Sequence, residues 1–365
     1  MRFLAGITIL IVCAVLGYFG FARLKTESVQ HTPSPVSPTV TRSHVQTRSA
    51  LFVPYWSEMI GYVSDKYDRY IYFGVSPTTQ GINTADEGYR KIKEFSDQDK
   101  GKTTLLTLRM TDKDENEAIL HDTAAWPVIA EQLVLLAKQY QFNGVVLDLE
   151  VGMQPFRTRE LTPLISSYVK YVSDYVKNQG LTFAVAIYGD SVYRSRPYDL
   201  KVINQSSDEV MVMAYDLHKA IGEPGPNFPL YGKEKWGYDL TKLVDDMQKD
   251  IAPEKLTIIF GMYGYDWAVN EKKIPLKAAE PLSYLEIKNK YIKKCGKDNC
   301  VIRRDDKAME TEMNFVFTSY DPVRNYYTSA PRVIWYEDET SSEKKMYYLQ
   351  SRGISSVAYW AYGYY

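Results

Sequence analysis

Short apolar runs alternate with longer amphipathic segments along most of this chain, and this alternation constrains the fold more than any other feature. Helical patterns, such as residues 126–140 and 164–177, lie between runs that are typical of buried strands. Strands that alternate with helices form parallel sheets, so the sequence predicts an α/β protein with a closed (β/α)8 or TIM barrel. The predicted strands are Ala50–Tyr55, Tyr70–Val75, Thr103–Arg109, Gly144–Glu150, Thr182–Tyr188, Glu209–Tyr215, Leu256–Met262 and Ser355–Trp360.

One interval breaks the rhythm of the predicted barrel. Roughly 75 residues separate the seventh strand from the last helix, far more than a connection between two elements needs. We therefore predict a barrel domain over residues 50–365, with a small α+β insertion subdomain at about residues 265–336, between strand 7 and the last helix.

The N-terminal region has a different composition from the barrel. Residues 3–22 carry no charge and are long enough to cross a bilayer as a helix. We predict a signal anchor or signal peptide over residues 1–25 and a disordered, flexible linker over residues 26–49. An uncleaved anchor would keep the protein at the cell membrane with the barrel outside the cytoplasm, whereas cleavage would make it a secreted protein.

The overall charge restricts the partners. With 44 basic and 45 acidic residues the formal net charge is −1, which provides no basic field for nucleic acid. Aromatic residues make up 14% of the chain, a composition that suits stacking on sugar rings and equally suits ordinary core packing. Small or neutral partners are therefore expected, and the only predicted membrane contact is through residues 3–22.

Two cysteines lie close together within the predicted insertion. Cys295 and Cys300 are separated by the turn-like sequence Gly-Lys-Asp-Asn. Outside the cytoplasm they can close a small disulfide loop, and the alternative is a pair of reduced surface thiols. A zinc site is not expected, because no further cysteine or histidine is nearby, and the sequence predicts neither a metal nor a cofactor.

The fourth predicted strand ends in two carboxylates. Asp148 and Glu150 are two residues apart, so in an extended strand their side chains point to the same side. Adjacent carboxylates separate each other's pKa values, and one can stay protonated near neutral pH, as general acid catalysis on a glycoside requires. Tyr215, Asp216 and Trp360 also fall at strand ends, where such barrels keep catalytic residues. The ordinary alternative for an isolated Asp-x-Glu is the start of a solvated loop.

Several short motifs lie on successive predicted strands of the barrel. Residues 143–150 read Asn-Gly-Val-Val-Leu-Asp-Leu-Glu, similar to the fourth-strand motif Asp-Gly-x-Asp-x-Asp-x-Glu of glycoside hydrolase family 18, the chitinase and N-acetylglucosaminidase family. The segment Val333–Asp338 resembles bacterial peptidoglycan-active and spore-cortex-type members. The resemblance covers residues 51–365, and later strands carry its other signatures, Met213-Ala214-Tyr215-Asp216, Tyr263-Gly264 and Trp360.

This resemblance implies cleavage of a carbohydrate polymer or oligosaccharide by a retaining mechanism, in which the substrate's own 2-acetamido oxygen is the nucleophile. It implies that Glu150 is the general acid/base, that Asp148 orients the acetamido group, and that Tyr215 donates a hydrogen bond to its carbonyl. We also expect a monomer that needs no cofactor. The implied substrate-binding residues are Trp360, Met213, Asp216, Tyr263 and Tyr55.

Two positions depart from the family motif, and both lack an expected carboxylate. They are Asn143 and Val146. Because Val146 cannot share a proton with Asp148, we expect Asp148 to ionise more readily and Glu150 to experience less repulsion, which predicts a reduced or acid-shifted activity. The alternative function is a catalytically weak or inactive, lectin-like glycan-binding barrel. A metal-dependent phosphodiesterase is a third alternative, disfavoured because no histidines have metal-ligand spacing.

Overall fold

The computed structural model describes most of the chain after the N-terminal region. It covers residues 48–365 without 59–60, 62, 99–100, 153–155, 297–299 and 323–324. The predicted membrane segment, residues 3–22, lies outside the described residues, as does nearly all of the predicted linker. Arg48 and Ser49 already belong to the first strand, so the linker prediction extends into the barrel at its end. In the described part, no helix is both long and apolar enough to cross a bilayer.

Eight parallel strands close into a barrel, which confirms the predicted architecture. Each strand pairs with its neighbours in the sequence, and the last pairs with the first in register Arg48 to Ser356. The predicted ends differ from the observed ends by at most two residues. The first to eighth barrel strands are Arg48–Pro54, Arg69–Val75, Thr103–Met110, Gly144–Leu149, Thr182–Tyr188, Glu209–Ala214, Leu256–Gly261 and Ser356–Trp360.

Helices follow the barrel strands, and the longer helices bury their apolar faces against the barrel. Successive residues of a strand point to opposite faces, so Leu51 and Val53 join the core shared with the helices, whereas Ala50 and Phe52 join the core inside the barrel. The helices are Glu87–Ser96, Lys113–His121, Ala125–Gln139, Thr158–Asn178, Leu200–Ser206, Lys233–Trp236, Leu240–Met247, Tyr284–Lys290 and Glu339–Ser351.

The segment between the seventh strand and the last helix forms a five-stranded antiparallel sheet. Its strands, in spatial order, are Glu280–Ser283, Tyr263–Ala268, Tyr326–Tyr336, Thr311–Asp321 and Cys300–Arg304. Helix Tyr284–Lys290 begins at a capping box formed by Ser283 and Glu286. Cys295 and Cys300 are joined by a disulfide with 5.3 Å between their Cα atoms. Of the two alternatives that the sequence left open, the structure therefore has the disulfide loop and not the pair of reduced thiols.

A buried ion cluster connects this sheet to the last helix. Lys345 is 1% exposed, and its ammonium donates to Glu310 at 2.7 Å and to Glu337. Glu310 also accepts the backbone N–H groups of Asn227 and Phe228, in the loop after the sixth barrel strand. Burial raises the pKa of Glu337 to about 8, although the Lys345 charge acts against that rise. The Lys345 ammonium thereby links the last helix to the two chain segments that carry Glu310 and Glu337.

We expect Lys345→Met to lower the free energy of unfolding by about 3–5 kcal/mol, because it leaves two buried carboxylates without their positive partner. The neighbouring Lys344 is exposed, so Lys344→Met is a matched control. Urea-induced unfolding followed by circular dichroism measures both changes. Equal unfolding midpoints for the two variants would show that the cluster does not stabilise the fold.

Candidate active site

A cavity of about 360 Å³ opens at the carboxyl ends of the barrel strands. Its position is the one that TIM-barrel proteins use for their active sites, because side chains from several strand ends converge there. Its walls are partly acidic and partly aromatic. They include Phe52, Trp56, Phe73, Arg109, Thr111, Asp148, Glu150, Met213, Tyr215, Asp216, Tyr263 and Trp360.

Nearly all of the residues that the sequence singled out come together in this cavity. They are Glu150, Asp148, Tyr215, Trp360, Met213, Asp216 and Tyr263. Tyr55 is the exception, since it is not among the described residues that line the cavity, and Trp56 is there instead. Leu51 and Val53 face the helices, and the same alternation places Tyr55 against that outer core and Trp56 at the cavity. The ring of Tyr55 packs against Trp56 and lies 5.0 Å from the Arg109 guanidinium carbon.

Asp148 is held inside the barrel. It is 3% exposed, and its Oδ1 has no hydrogen-bond partner among the described residues. Val146 lies two residues earlier on the same face and packs into the apolar barrel core. Burial raises the pKa of Asp148 well above its usual range, the Glu150 charge raises it further, and the Arg109 charge lowers it. Burial is therefore the main influence on this carboxyl.

Glu150 follows the fourth strand and faces the same cavity. Its backbone N–H donates to Met110, at the end of the third strand, at 2.8 Å. Burial raises the pKa of its carboxyl, whereas the hydroxyl of Tyr188 donates a hydrogen bond to Oε2 and lowers it. Further away, Lys219 lowers this pKa and Asp216 raises it. A carboxyl with a raised pKa can hold a proton near neutral pH and act as a general acid.

The ring of Tyr188 packs against Arg196, a contact that the sequence analysis did not identify. The guanidinium carbon of Arg196 lies 3.7 Å from the centroid of the Tyr188 ring. Arg196 is buried, forms an ion pair with Asp190 and donates to the carbonyl of Val151 at 3.3 Å. Cation–π packing of this kind restricts the ring that orients Glu150. Tyr188 ends the fifth strand on the inner face, so strand alternation was a signal that could have identified it.

The sixth strand ends in Tyr215 and Asp216. Burial raises the pKa of Tyr215 well above its usual range, so its hydroxyl stays protonated and can donate a hydrogen bond. Asp216 has a φ of 61°, in the left-handed region, and its N–H donates to Asn227 Oδ1 at 2.7 Å. Its carboxylate accepts hydrogen bonds from Tyr263 and from Tyr265, the latter at 2.7 Å. These contacts fix an acceptor at the rim of the cavity.

Trp360 provides an aromatic surface in the cavity. Its ring centroid lies 4.7 Å from that of Phe73, 5.6 Å from that of Phe52 and 6.0 Å from that of Trp56. The partners of the indole are edge-on or tilted, so the ring is held in one orientation. A flat aromatic face of this kind suits the C–H groups of a sugar ring.

The third strand contributes a cation to the same cavity. Arg109 lines it and forms an ion pair with Asp86, whose Oδ2 lies 2.6 Å from Arg109 Nη2. Asp86 also caps helix Glu87–Ser96, which fixes its position. The sequence analysis did not identify Arg109, although the side-chain alternation of the third strand points it into the barrel. Over the described residues, no group of three or more His, Cys, Asp or Glu side chains is arranged to hold a metal ion.

An acidic pair at the end of the fourth strand and an aromatic floor beside it are the arrangement of a glycosidase barrel. The sequence profile described as Glycosyl hydrolases family 18 matches residues 42–364. The chain therefore belongs to glycosyl hydrolase family 18, which confirms the resemblance found in the motifs.

Among curated proteins, the chain is similar to the uncharacterized glycosylase YvbX of Bacillus subtilis (strain 168). The two are 24% identical over 257 residues, which cover 69% of this chain and 66% of YvbX, so the chain spans slightly less than two thirds of that relative.

Solved structures share the fold. The spore cortex-lytic enzyme SleL of Bacillus cereus has a TM-score of 0.64 and 16% identity, with 88% of this chain and 72% of SleL covered. A family 18 N-acetylglucosaminidase from Paenibacillus barengoltzii has a TM-score of 0.70 and 17% identity, with 87% and 96% covered. At such identities the likeness shows the fold alone.

We expect Tyr188→Phe to raise the pKa of the Glu150 carboxyl, because the variant loses the hydrogen bond that stabilises the ionised form. The carboxyl would then stay protonated to higher pH. NMR titration of protein labelled with ¹³C at the glutamate carboxyls measures this, with the Glu150 signal assigned by its loss in Glu150→Gln.

Tyr198→Phe is the matched control for this experiment. Its hydroxyl is also close to the acid, but it bonds to the backbone of Leu149 and Val151 and not to a carboxylate. We expect a smaller change in the Glu150 pKa from this variant. Equal changes in the two variants would show that the hydrogen bond from Tyr188 is not what sets that pKa.

Proposed function

We propose that this protein is a retaining glycosidase that cleaves β-1,4-linked glycan containing N-acetylglucosamine, either peptidoglycan or a chitin-like polymer, as a monomer. The observation that carries the proposal is the pairing of Glu150 with the buried Asp148 in one cavity beside Trp360. Both carboxyls have raised pKa values, so the pair can hold a proton near neutral pH. Family membership supports the same reaction class.

In the first step, Glu150 gives its proton to the glycosidic oxygen while the bond from that oxygen to C1 breaks. The carbonyl oxygen of the substrate's 2-acetamido group forms a bond to C1 from the opposite face, which yields an oxazolinium ion. Asp148, as the carboxylate, accepts the acetamido N–H and stabilises the positive charge. Tyr215 donates to the acetamido carbonyl oxygen and holds it in the position for attack.

In the second step, the ionised Glu150 takes a proton from a water molecule, and the water oxygen forms the new bond to C1. The bond from C1 to the acetamido oxygen breaks, so C1 recovers its original configuration and Glu150 is protonated again. Trp360 packs under the sugar ring during both steps. Met213 and Tyr263 shape the same subsite, and the Asp216 carboxylate accepts a hydrogen bond from a sugar hydroxyl.

A glycan-binding barrel with weak or no activity is the second candidate. Val146 favours it, because an apolar side chain stands where the family motif has a carboxylate that interacts with the next aspartate. The aromatic cavity would then serve as a lectin site that retains the sugar without cutting it. Retention of Glu150 favours the enzyme, since binding alone does not require an acid with a raised pKa.

We expect Glu150→Gln to reduce cleavage at least about 100-fold, because glutamine can neither donate nor accept the proton. The full-length chain is incubated with purified peptidoglycan and, separately, with chitohexaose, and new reducing ends are counted. Glu131→Gln is the control, since Glu131 is an exposed glutamate on helix Ala125–Gln139.

The outcomes of this assay separate the two candidates. Retention of glycan by the parent protein without new reducing ends would support the binding barrel and refute the enzyme. Equal activity in the parent and Glu150→Gln would refute the assignment of the acid while leaving the family membership intact.

The proposed location is the cell membrane, through residues 3–22 with the barrel outside the cytoplasm, or secretion if that segment is removed. The disulfide between Cys295 and Cys300 supports an oxidising compartment. We expect the full-length chain to stay with carbonate-washed membranes and Ile11→Arg, which places a charge in the apolar stretch, to be released. A soluble parent protein that begins near Arg23 by mass spectrometry would refute the anchor.

A further inference from the structure

We propose that Arg109 is a positioning residue that supplies the positive partner of Asp148, in place of the carboxylate that the family motif has at Val146. This inference rests on the proposed function, because it concerns how Asp148 is kept in its working state. Arg109 belongs to no family motif in this chain.

The strand register brings the two side chains together. Arg109 of the third strand pairs directly with Asp148 of the fourth strand. Leu105 and Val146, an even number of residues before each of them, lie in the core inside the barrel, so Arg109 and Asp148 point to the same interior. Both line the cavity. Side chains of directly paired strand residues are close neighbours.

Both groups also have an unused hydrogen-bonding atom at this place. Asp148 Oδ1, an acceptor, and Arg109 Nε, a donor, are buried without a partner among the residues that the structure describes. Buried polar atoms are rarely left unsatisfied, and here the two are complementary. A hydrogen bond between these two atoms, direct or through water, would satisfy both. The guanidinium is already oriented, since Asp86 binds Nη2 and the Tyr55 and Phe73 rings flank it.

The fourth strand offers Asp148 no such partner. Val146 is apolar, and Thr107, which pairs with Val146 in register, has its own hydroxyl buried without a partner in the described structure. In the proposed reaction, Asp148 must be ionised when the oxazolinium charge develops, yet burial opposes that ionisation. A cation on the next strand favours the ionised form.

The surrounding charges are consistent with this role. Glu150 raises the pKa of Asp148, and Arg109 is the cation among the described groups that lowers it. The Asp148 charge also acts on Tyr215 and Tyr198, and both stay neutral because burial raises their own pKa values. The fifth strand presents Ala186 in register with Asp148 and adds no charge.

The test is a titration of the Asp148 carboxyl in the ligand-free, full-length chain, by NMR of protein labelled with ¹³C at the aspartate carboxyls. We expect Arg109→Met to raise the pKa of Asp148 by about 1 or more, and Arg109→Lys to restore much of the difference. Arg69→Met is the matched control. Arg69 pairs with Glu209 at the other end of the barrel, and its side chain is 15% exposed against 16% for Arg109.

A second variant separates Arg109 from its own partner. Arg109→Met leaves the Asp86 carboxylate without its positive partner, and that negative charge by itself would raise the pKa of Asp148. In the double variant Arg109→Met with Asp86→Asn that charge is gone, while asparagine still caps the helix. We expect the Asp148 pKa to stay raised in the double variant. A return to the parent value would assign the effect to Asp86 and overturn the proposal.

Kinetics with chitohexaose provide an independent readout. We expect Arg109→Met to lower kcat about tenfold with a smaller change in KM, and to move the acidic limb of the pH profile to higher pH, because Asp148 must lose its proton to work. An unchanged Asp148 pKa in folded Arg109→Met refutes the proposal whatever the activity. If the parent protein cleaves nothing, the proposed function fails, and the titration still decides the role of Arg109.

Discussion

The burial of two carboxylates at the end of one barrel strand is the constraint on which the site depends. Asp148 is 3% exposed inside the closed barrel, and Glu150 is partly buried just beyond the same apolar strand, so water stabilises a charge on either group less than it would in solution. Burial is the largest influence on both pKa values. Every polar contact around the pair therefore acts against a desolvation cost, and a small change in those contacts alters which carboxyl holds the proton.

The two carboxyls have different neighbours. Glu150 accepts a hydrogen bond from the neutral Tyr188, whose ring packs against Arg196, and the Lys219 and Arg196 charges also lower its pKa. Asp148 has a cation on the adjacent strand and no hydrogen bond from its own strand. Arg109 is therefore the charge that lowers the pKa of Asp148 against the effect of burial, whereas several contacts share that effect at Glu150.

Most of the fold and much of the site could be predicted from the sequence, because both depend on local periodicity. Alternating apolar runs located the eight strands, and their ends located Asp148, Glu150 and Tyr215. Tyr55 is not among the described residues that line the cavity, because it lies on the same side of the chain as Leu51 and Val53, which face the helices. Arg109 was missed for another reason, since its importance depends on the register between the third and fourth strands, and a pattern within one strand does not contain that register.

The long-range contacts that hold the rim of the cavity were also beyond the sequence patterns. Asp216 is placed by Asn227, Asn227 by Glu310, and Glu310 by the buried Lys345 of the last helix. This chain of contacts runs from the inserted sheet and the last helix to the rim of the cavity at Asp216. Because a buried ion pair has a geometric requirement that apolar packing lacks, it fixes the position of the insertion relative to the barrel opening. The inserted sheet thus acts on the site through polar contacts that position Asp216, and a family motif restricted to strand ends does not reveal them.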